Sequence, residues 1–210
     1  MKKFLPLLSL ILLFTATTRA QGLRYGITGA INFSNYAVEA GGISYDPESR
    51  IGFKAGFRME LDAPFIYDGF YFDMEALLSS RGAKVEQVVE GQYMSNTLRP
   101  YYLEIPIHIG YRYNLGSTFN LFASFGPYFG VGLFGKNKFF DGENTTKPDS
   151  FSSSGLKRFD FGLGVRGGVE MFNHYRIYLG YDWGVLDIAK GFNGGTVNSR
   201  NFYVGAAYMF

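Results

Sequence analysis

The chain has no cysteine. Structural disulfides, thiolate metal sites, a cysteine nucleophile and a lipid anchor on cysteine are therefore excluded. Its two histidines, His108 and His174, are far apart and have no acids at ligand spacing, so neither a metal nor another cofactor is expected. Charged residues make up 18% of the chain, below the usual level of about a quarter. Past residue 20 no apolar run is long enough to cross a bilayer as a helix, and no amphipathic helix of convincing length appears. The shortage of charge does not mean disorder, because 47% of the residues are hydrophobic and can bury a core. Aromatics and glycine are what the chain has in excess: 22 Phe, 16 Tyr and 28 Gly in 210 residues. The glycines do not recur every third residue, which excludes collagen.

Residues 1–20 read as a cleaved signal peptide. Lys2 and Lys3 form a positive end, Phe4 to Phe14 an apolar stretch, and Thr18-Arg19-Ala20 a small-residue cleavage site. Removing them takes away Lys2, Lys3 and Arg19 and no acid, so 20 basic residues fall to 17 against 18 acidic ones. No basic case for nucleic acid survives. The mature domain is expected over 21–210.

That domain alternates with period two. In 51–62, Ile51, Phe53, Ala55, Phe57, Met59 and Leu61 point one way; Lys54, Arg58, Glu60 and Asp62, with two glycines, point the other. Successive side chains of a strand lie on opposite faces, so each such segment has one apolar and one polar face. The pattern predicts eight strands, over 23–34, 51–62, 69–81, 101–112, 119–135, 158–171, 175–187 and 201–210. Their connections alternate long and short, with long links at 35–49, 82–97, 136–154 and 189–199. Short turns on one side and long loops on the other mark an outer-membrane barrel. The predicted fold is all-β, an eight-stranded antiparallel up-and-down transmembrane barrel.

A soluble barrel of the lipocalin kind would show the same alternation with its charges outward. Three features favour the membrane form. The polar face is rich in glycine, which suits a crowded interior and weakens a solvated strand. Its charges nearly balance, which buried charges require. The expected lumen network comprises Lys54, Arg58, Glu60, Asp73, Glu75, Glu104, His108, Arg112, Asp160, Arg166, Glu170, Arg176 and Asp182, with Arg24, Arg81, Arg158 and Asp62 on the same face. Aromatics stand near strand ends on the apolar face, among them Tyr25, Tyr101, Tyr111, Trp183, Phe202, Tyr208 and Phe210, as interfacial girdles require. Outer-membrane lipid is the implied solvent of that face. The final strand, ending on Phe210, is the segment that outer-membrane insertion machinery would engage.

The motifs that look chemical have plainer readings. Gly162 to Gly167 and Gly130 to Gly135 each fit GxGxxG, but both continue as alternating strand where a dinucleotide site needs a helix. His108 shares a face with Glu104 and Arg112, and Ser124 on the next strand is in reach, so a Ser-His-Glu hydrolase is conceivable; a structural histidine is the expected role. Asp141 to Asn144 lacks the full calcium-loop pattern. Pro106 cannot donate to a ladder, so a local bulge or distortion is expected there.

Tyr102-Leu103-Glu104-Ile105-Pro106, Gly126-Pro127-Tyr128, Phe159-Asp160-Phe161-Gly162 and the strand Tyr203 to Phe210 together resemble the PorT-like outer-membrane β-barrel family, widespread in Bacteroidota. The resemblance covers 22–210. It implies the same barrel, no catalytic residues, and, through the member that names the family, an association with type IX secretion. The expected function is non-enzymatic: a structural or interaction platform in the outer membrane, with an envelope or secretion-system protein as partner. A small transport or channel protein is the alternative, and a lipid-modifying enzyme a third.

Overall fold

The computed structural model describes residues 22–89, 92–116, 118–153, 155–190 and 194–210. The segment read as a signal peptide, 1–20, lies outside the described residues. Thirteen strands run in order: β1 Leu23–Ala40, β2 Ile43–Tyr45, β3 Glu48–Asp62, β4 Phe70–Ser80, β5 Ala83–Val89, β6 Gln92–Thr97, β7 Pro100–Asn114, β8 Phe119–Gly135, β9 Lys138–Phe140, β10 Thr145–Thr146, β11 Phe159–Met171, β12 Tyr175–Gly184 and β13 Gly195–Met209.

Eight of them close a barrel. Antiparallel pairing runs β1-β3-β4-β7-β8-β11-β12-β13, and β13 returns to β1 over Gly26↔Met209 to Ala40↔Gly195. Closure leaves no unpaired edge, the condition for placing a sheet in lipid. The expected strands all appear. Among the described residues, no helix is long and apolar enough to cross a membrane.

The alternating pattern fixes which face points where. On β3, Ile51 is 67% and Phe57 72% exposed, while Lys54 is 4%, Arg58 2% and Glu60 0%. The apolar residues face outward and the charges inward, the inverse of a soluble barrel.

The long links differ from expectation. Segment 82–97 is a hairpin, β5 paired with β6, and 136–154 contributes β9 and β10. These strands pair onto the start of β3 in the order β3-β5-β6-β9-β10. A second sheet therefore stands on the long-loop end of the barrel. The extended strands β1 and β8, 18 and 17 residues long, likewise exceed the roughly 9–11 that a crossing needs. These links read as loop because their strands are short; β5 with β6 and β9 with β10 pair inside one link, and β6 with β9 pair across two.

The short-turn end is tight. Between β11 and β12, Phe172 and Asn173 take φ of 54° and 60°, and His174 N–H donates to the Met171 carbonyl at 3.1 Å. Two central residues at positive φ make the turn whose twist matches paired strands. It closes one residue earlier than the expected Asn173-His174. Pro106 is accommodated without a bulge. Pairing of β4 with β7 skips Glu75 and Ala76 opposite Ile105 and Pro106 and resumes in the same register. The register shift of β7 against β8 lies instead at Tyr101 and Tyr102.

Candidate functional site: the filled lumen and its rims

The inward residues of eight strands meet as three layers of charge. At the short-turn end, Arg176 holds Glu60 at 2.6 Å and Glu170 at 2.5 Å. Arg24 reaches the same two acids at 3.3 and 3.1 Å. Arg112 contacts Glu60 and pairs with Asp62 at 3.3 Å and Glu170 at 3.6 Å. Asn120 donates to Glu170 at 3.2 Å.

In the middle layer, Arg166 grips Glu75 through two parallel bonds of 2.7 and 2.8 Å and reaches Asp73 at 3.3 Å. Arg58 pairs with Asp73 at 2.6 Å and Glu75 at 3.4 Å. The bidentate fork is the strongest carboxylate geometry an arginine offers.

Nearer the long loops, Lys54 Nζ bridges Glu104 and Asp182, each at 2.5 Å. Arg81 contacts Glu104 and pairs with Asp160 at 2.9 Å. Asp160 also accepts from Tyr128 at 3.1 Å and Ser199 at 2.9 Å. Here two cations face three carboxylates, and hydroxyls and amides supply the remaining donors. Buried charge is tolerable only when paired and hydrogen-bonded in this way.

Of the expected network, all members except His108 take part in these ion pairs. His108 is buried and its Nδ1 stands 3.4 Å from Ser124 Oγ. Glu104 is committed to Lys54 and Arg81, so Ser124, His108 and Glu104 do not assemble as a hydrogen-bonded triad. Arg158 is exposed above the barrel; its guanidinium donates to the Gly132 and Leu133 carbonyls at 2.7 and 2.8 Å.

The expected lumen network does not include the tyrosines. Tyr71, Tyr128, Tyr178 and Tyr203 are buried, and each sits directly across from a glycine of the next strand: Gly110, Gly162, Gly205 and Gly180. A Cβ at any of these glycines would run into the ring facing it. The rings lie over bare backbone and under the guanidinium groups: Arg81 stands 4.7 Å from the Tyr128 centroid and Arg166 5.0 Å from that of Tyr178. Cation–π attraction adds to the ion pairs.

Above the upper layer the long links turn inward. Tyr36, Ala83, Tyr102, Phe151, Leu156 and Ile188 form a buried apolar cluster. Phe151 meets Tyr102 edge-on, with centroids 5.7 Å apart. Asp187 ties this cap down. Its carboxylate accepts from Ala189 N–H at 3.1 Å and Val197 N–H at 2.9 Å and pairs with Lys157 at 2.7 Å.

The outward aromatics fall at the two ends. Near the short turns, Phe70 packs on Tyr111 at 5.3 Å, Tyr208 on Phe210 at 5.3 Å, and Tyr25 accepts the Phe210 N–H through its carbonyl at 2.8 Å. Toward the long loops, Tyr101 stacks on Phe134 at 4.8 Å, Phe202 lies 6.1 Å from Phe33, and Trp183 lies 6.0 Å from Tyr181.

The chain is similar to several solved structures. One is Ail, the attachment invasion locus protein of Yersinia pestis, with 16% identity over 88% of this chain and 98% of that one and a TM-score of 0.44. Neisserial surface protein A gives 11% identity, 90% and 100% coverage and a TM-score of 0.46. OprG from Pseudomonas aeruginosa gives 13%, 90% and 96%, and 0.47. No curated protein matches the chain by sequence. The outer membrane protein beta-barrel domain, however, is matched over residues 16–190. The chain belongs to that family and is an outer-membrane β-barrel protein.

Proposed function

We propose that this barrel is a closed, non-enzymatic platform, engaged at its long-loop end by a protein of the cell envelope or of a secretion system. The reading rests on one observation above all. Every level of the lumen is crossed by ion-paired side chains, and Phe151, Tyr102 and Ile188 cover it. Permeation would require breaking several buried ion pairs at once, each costing about 3–5 kcal/mol when one partner is lost. The enclosure of His108, 2% exposed, likewise speaks against lipid chemistry at that residue. What remains accessible is the sheet β3-β5-β6-β9-β10 outside the bilayer, a surface for partners.

Within the family we assign the chain to the PorT-like group of Bacteroidota, on Tyr102 to Pro106, Gly126 to Tyr128 and the β13 strand. Residues 1–20 act as the export signal, and the insertion machinery takes up β13. The deciding experiment has two arms. Purified protein in liposomes is assayed for solute flux, and tagged protein is crosslinked in its own outer membrane. The platform reading expects no flux and a stoichiometric partner. Flux comparable to a porin overturns it in favour of the channel. N-terminal sequencing of the mature protein, expected to begin at Gln21, tests the signal separately.

A further inference from the structure

The lumen satisfies its cations, but one group of cations outside it is left unsatisfied. Arg99, Lys136, Lys138 and Lys147 line a pocket of about 610 Å³ at the long-loop end, where the β6–β7 link meets β8 and β9. All four are exposed. Among the described residues, none of them has a carboxylate within ion-pair distance, in contrast to Lys84 and Lys157, which pair with Glu86 and Asp187 at the same end of the molecule. One acid, Asp149, lines the pocket, and its Oδ1 already accepts the Phe151 N–H at 2.7 Å. Four positive charges around one concavity, with one acid partly committed, make a local field that attracts an anion.

The remaining walls say what kind of anion. Tyr101 and Phe134 also line the pocket. They stack at 4.8 Å on the lipid-facing side, and Phe53 adds a third ring 6.3 Å from Tyr101. Below them on the same face, Leu103 and Val131 are paired across β7 and β8 and are 39% and 45% exposed. Aromatic rings on a barrel's outer face mark headgroup depth. The cations therefore stand where lipid phosphates lie, directly above an apolar track suited to an acyl chain. A soluble anion would use the charges and leave the rings and the track without a role.

We propose that this pocket binds a phosphate-bearing lipid of the surrounding leaflet, its phosphate among Arg99, Lys136, Lys138 and Lys147 and its first acyl chain along Phe134, Tyr101 and Leu103. Arginine and lysine are the groups that recognise phosphate, Arg99 through its planar fork and the lysines as point charges. The inference does not depend on whether the barrel conducts. Solute flux would overturn the platform reading and leave this site untouched.

The test is native mass spectrometry of the full chain in detergent, titrated with bis-phosphorylated lipid A, its dephosphorylated form and inorganic phosphate. A saturable adduct with the phosphorylated lipid is expected, and Lys136→Ala with Lys138→Ala should weaken it by roughly tenfold. The charge-matched control Lys84→Ala with Lys157→Ala should leave it unchanged, and the heat-dependent gel shift of each variant reports folding. Equal binding of the dephosphorylated lipid overturns the proposal, as does equal weakening in the control pair. Competition by inorganic phosphate at the lipid's own affinity would mark a free-phosphate site and overturn the lipid assignment. The comparison of ligands uses the unaltered protein, so it decides even if a variant fails to fold.

Discussion

Tyr203 packs directly against Gly180 on the neighbouring strand, and a methyl group at Gly180 would collide with the hydroxyl end of its ring. The tyrosine also stands 4.2 Å beneath the Lys54 ammonium and 3.4 Å from Asp182 through its hydroxyl. The glycine is thus a space requirement of the ionic layer above it. Gly180→Ala should lower barrel stability by about 1–3 kcal/mol, the usual cost of overpacking. Gly29 is the matched control, an outward glycine on β1 whose added Cβ would meet nothing closer than 3.9 Å. Gly29→Ala should stay within about 0.5 kcal/mol of the parent. Urea unfolding in detergent, followed by the gel shift, measures both. Equal effects would show that the tyrosine–glycine pairs carry no packing role.

Arg166 is the sharpest test of the ionic interior. Replacing it with alanine leaves Glu75 without its two-bond partner and Asp73 with Arg58 alone. A loss of about 3–5 kcal/mol is expected for a buried charge stripped of its partner. Arg166→Glu should cost more, because it adds a third acid to the layer. Lys147→Glu, an exposed loop change, should be nearly silent. The swap of Arg166→Glu with Glu75→Arg should recover part of the loss. If the reversal in the lumen is no worse than the reversal in the loop, the interior is solvated and the closed reading fails.

These relationships were legible in the sequence to different depths. Period two alone identifies the faces of β3, β7 and β11, because a strand has only two sides. It also places Lys54, Glu104 and Arg166 inward. It cannot tell which acid meets which base. Arg176 and Glu60 are 116 residues apart, and only the curvature of the closed barrel brings them together. The tyrosine–glycine pairs were hidden for the same reason: Tyr128 finds Gly162 through register, and register is not written in either strand. Strands β6, β9 and β10 read as loops because each is short, and the pairing that joins β6 to β9 connects two links far apart in sequence. His108 was placed correctly on the inward face, yet its nearest acid in sequence, Glu104, is bonded elsewhere.

The cap should respond to acid through Asp187. Burial works against this carboxylate, but the Lys157 ammonium and the N–H groups of Val197 and Ala189 outweigh it and hold its affinity for protons below the ordinary value. A carboxylate depressed on folding stabilises the folded loop above its unfolded pKa. That contribution is lost as pH falls through the folded value. The segment around Ile188 should therefore exchange its backbone hydrogens faster, relative to the intrinsic rate at each pH, only once the pH falls below the ordinary carboxylate range, while the barrel strands stay protected. Asp187→Asn should show the faster exchange already at neutral pH and remove the pH step. A pH step that persists in the variant would assign the switch to another group.

Trp183 is the single tryptophan of the chain and therefore a depth gauge for the upper aromatic belt. It sits next to Arg200 on the outward face across β12 and β13, and the Arg200 guanidinium reaches toward Asp46 at 3.5 Å. An indole beside an exposed charged pair belongs at the level of headgroups, where its apolar ring and polar N–H are both accommodated. In liposomes containing brominated lipids, its fluorescence should be quenched more by bromine near the headgroup than by bromine near the chain end. Trp183→Phe should abolish the signal and leave the gel shift intact. Stronger quenching from the chain end would put β12 deeper in the bilayer. The phosphate-binding pocket, placed by the same belt through Tyr101 and Phe134, would then lose its headgroup position as well.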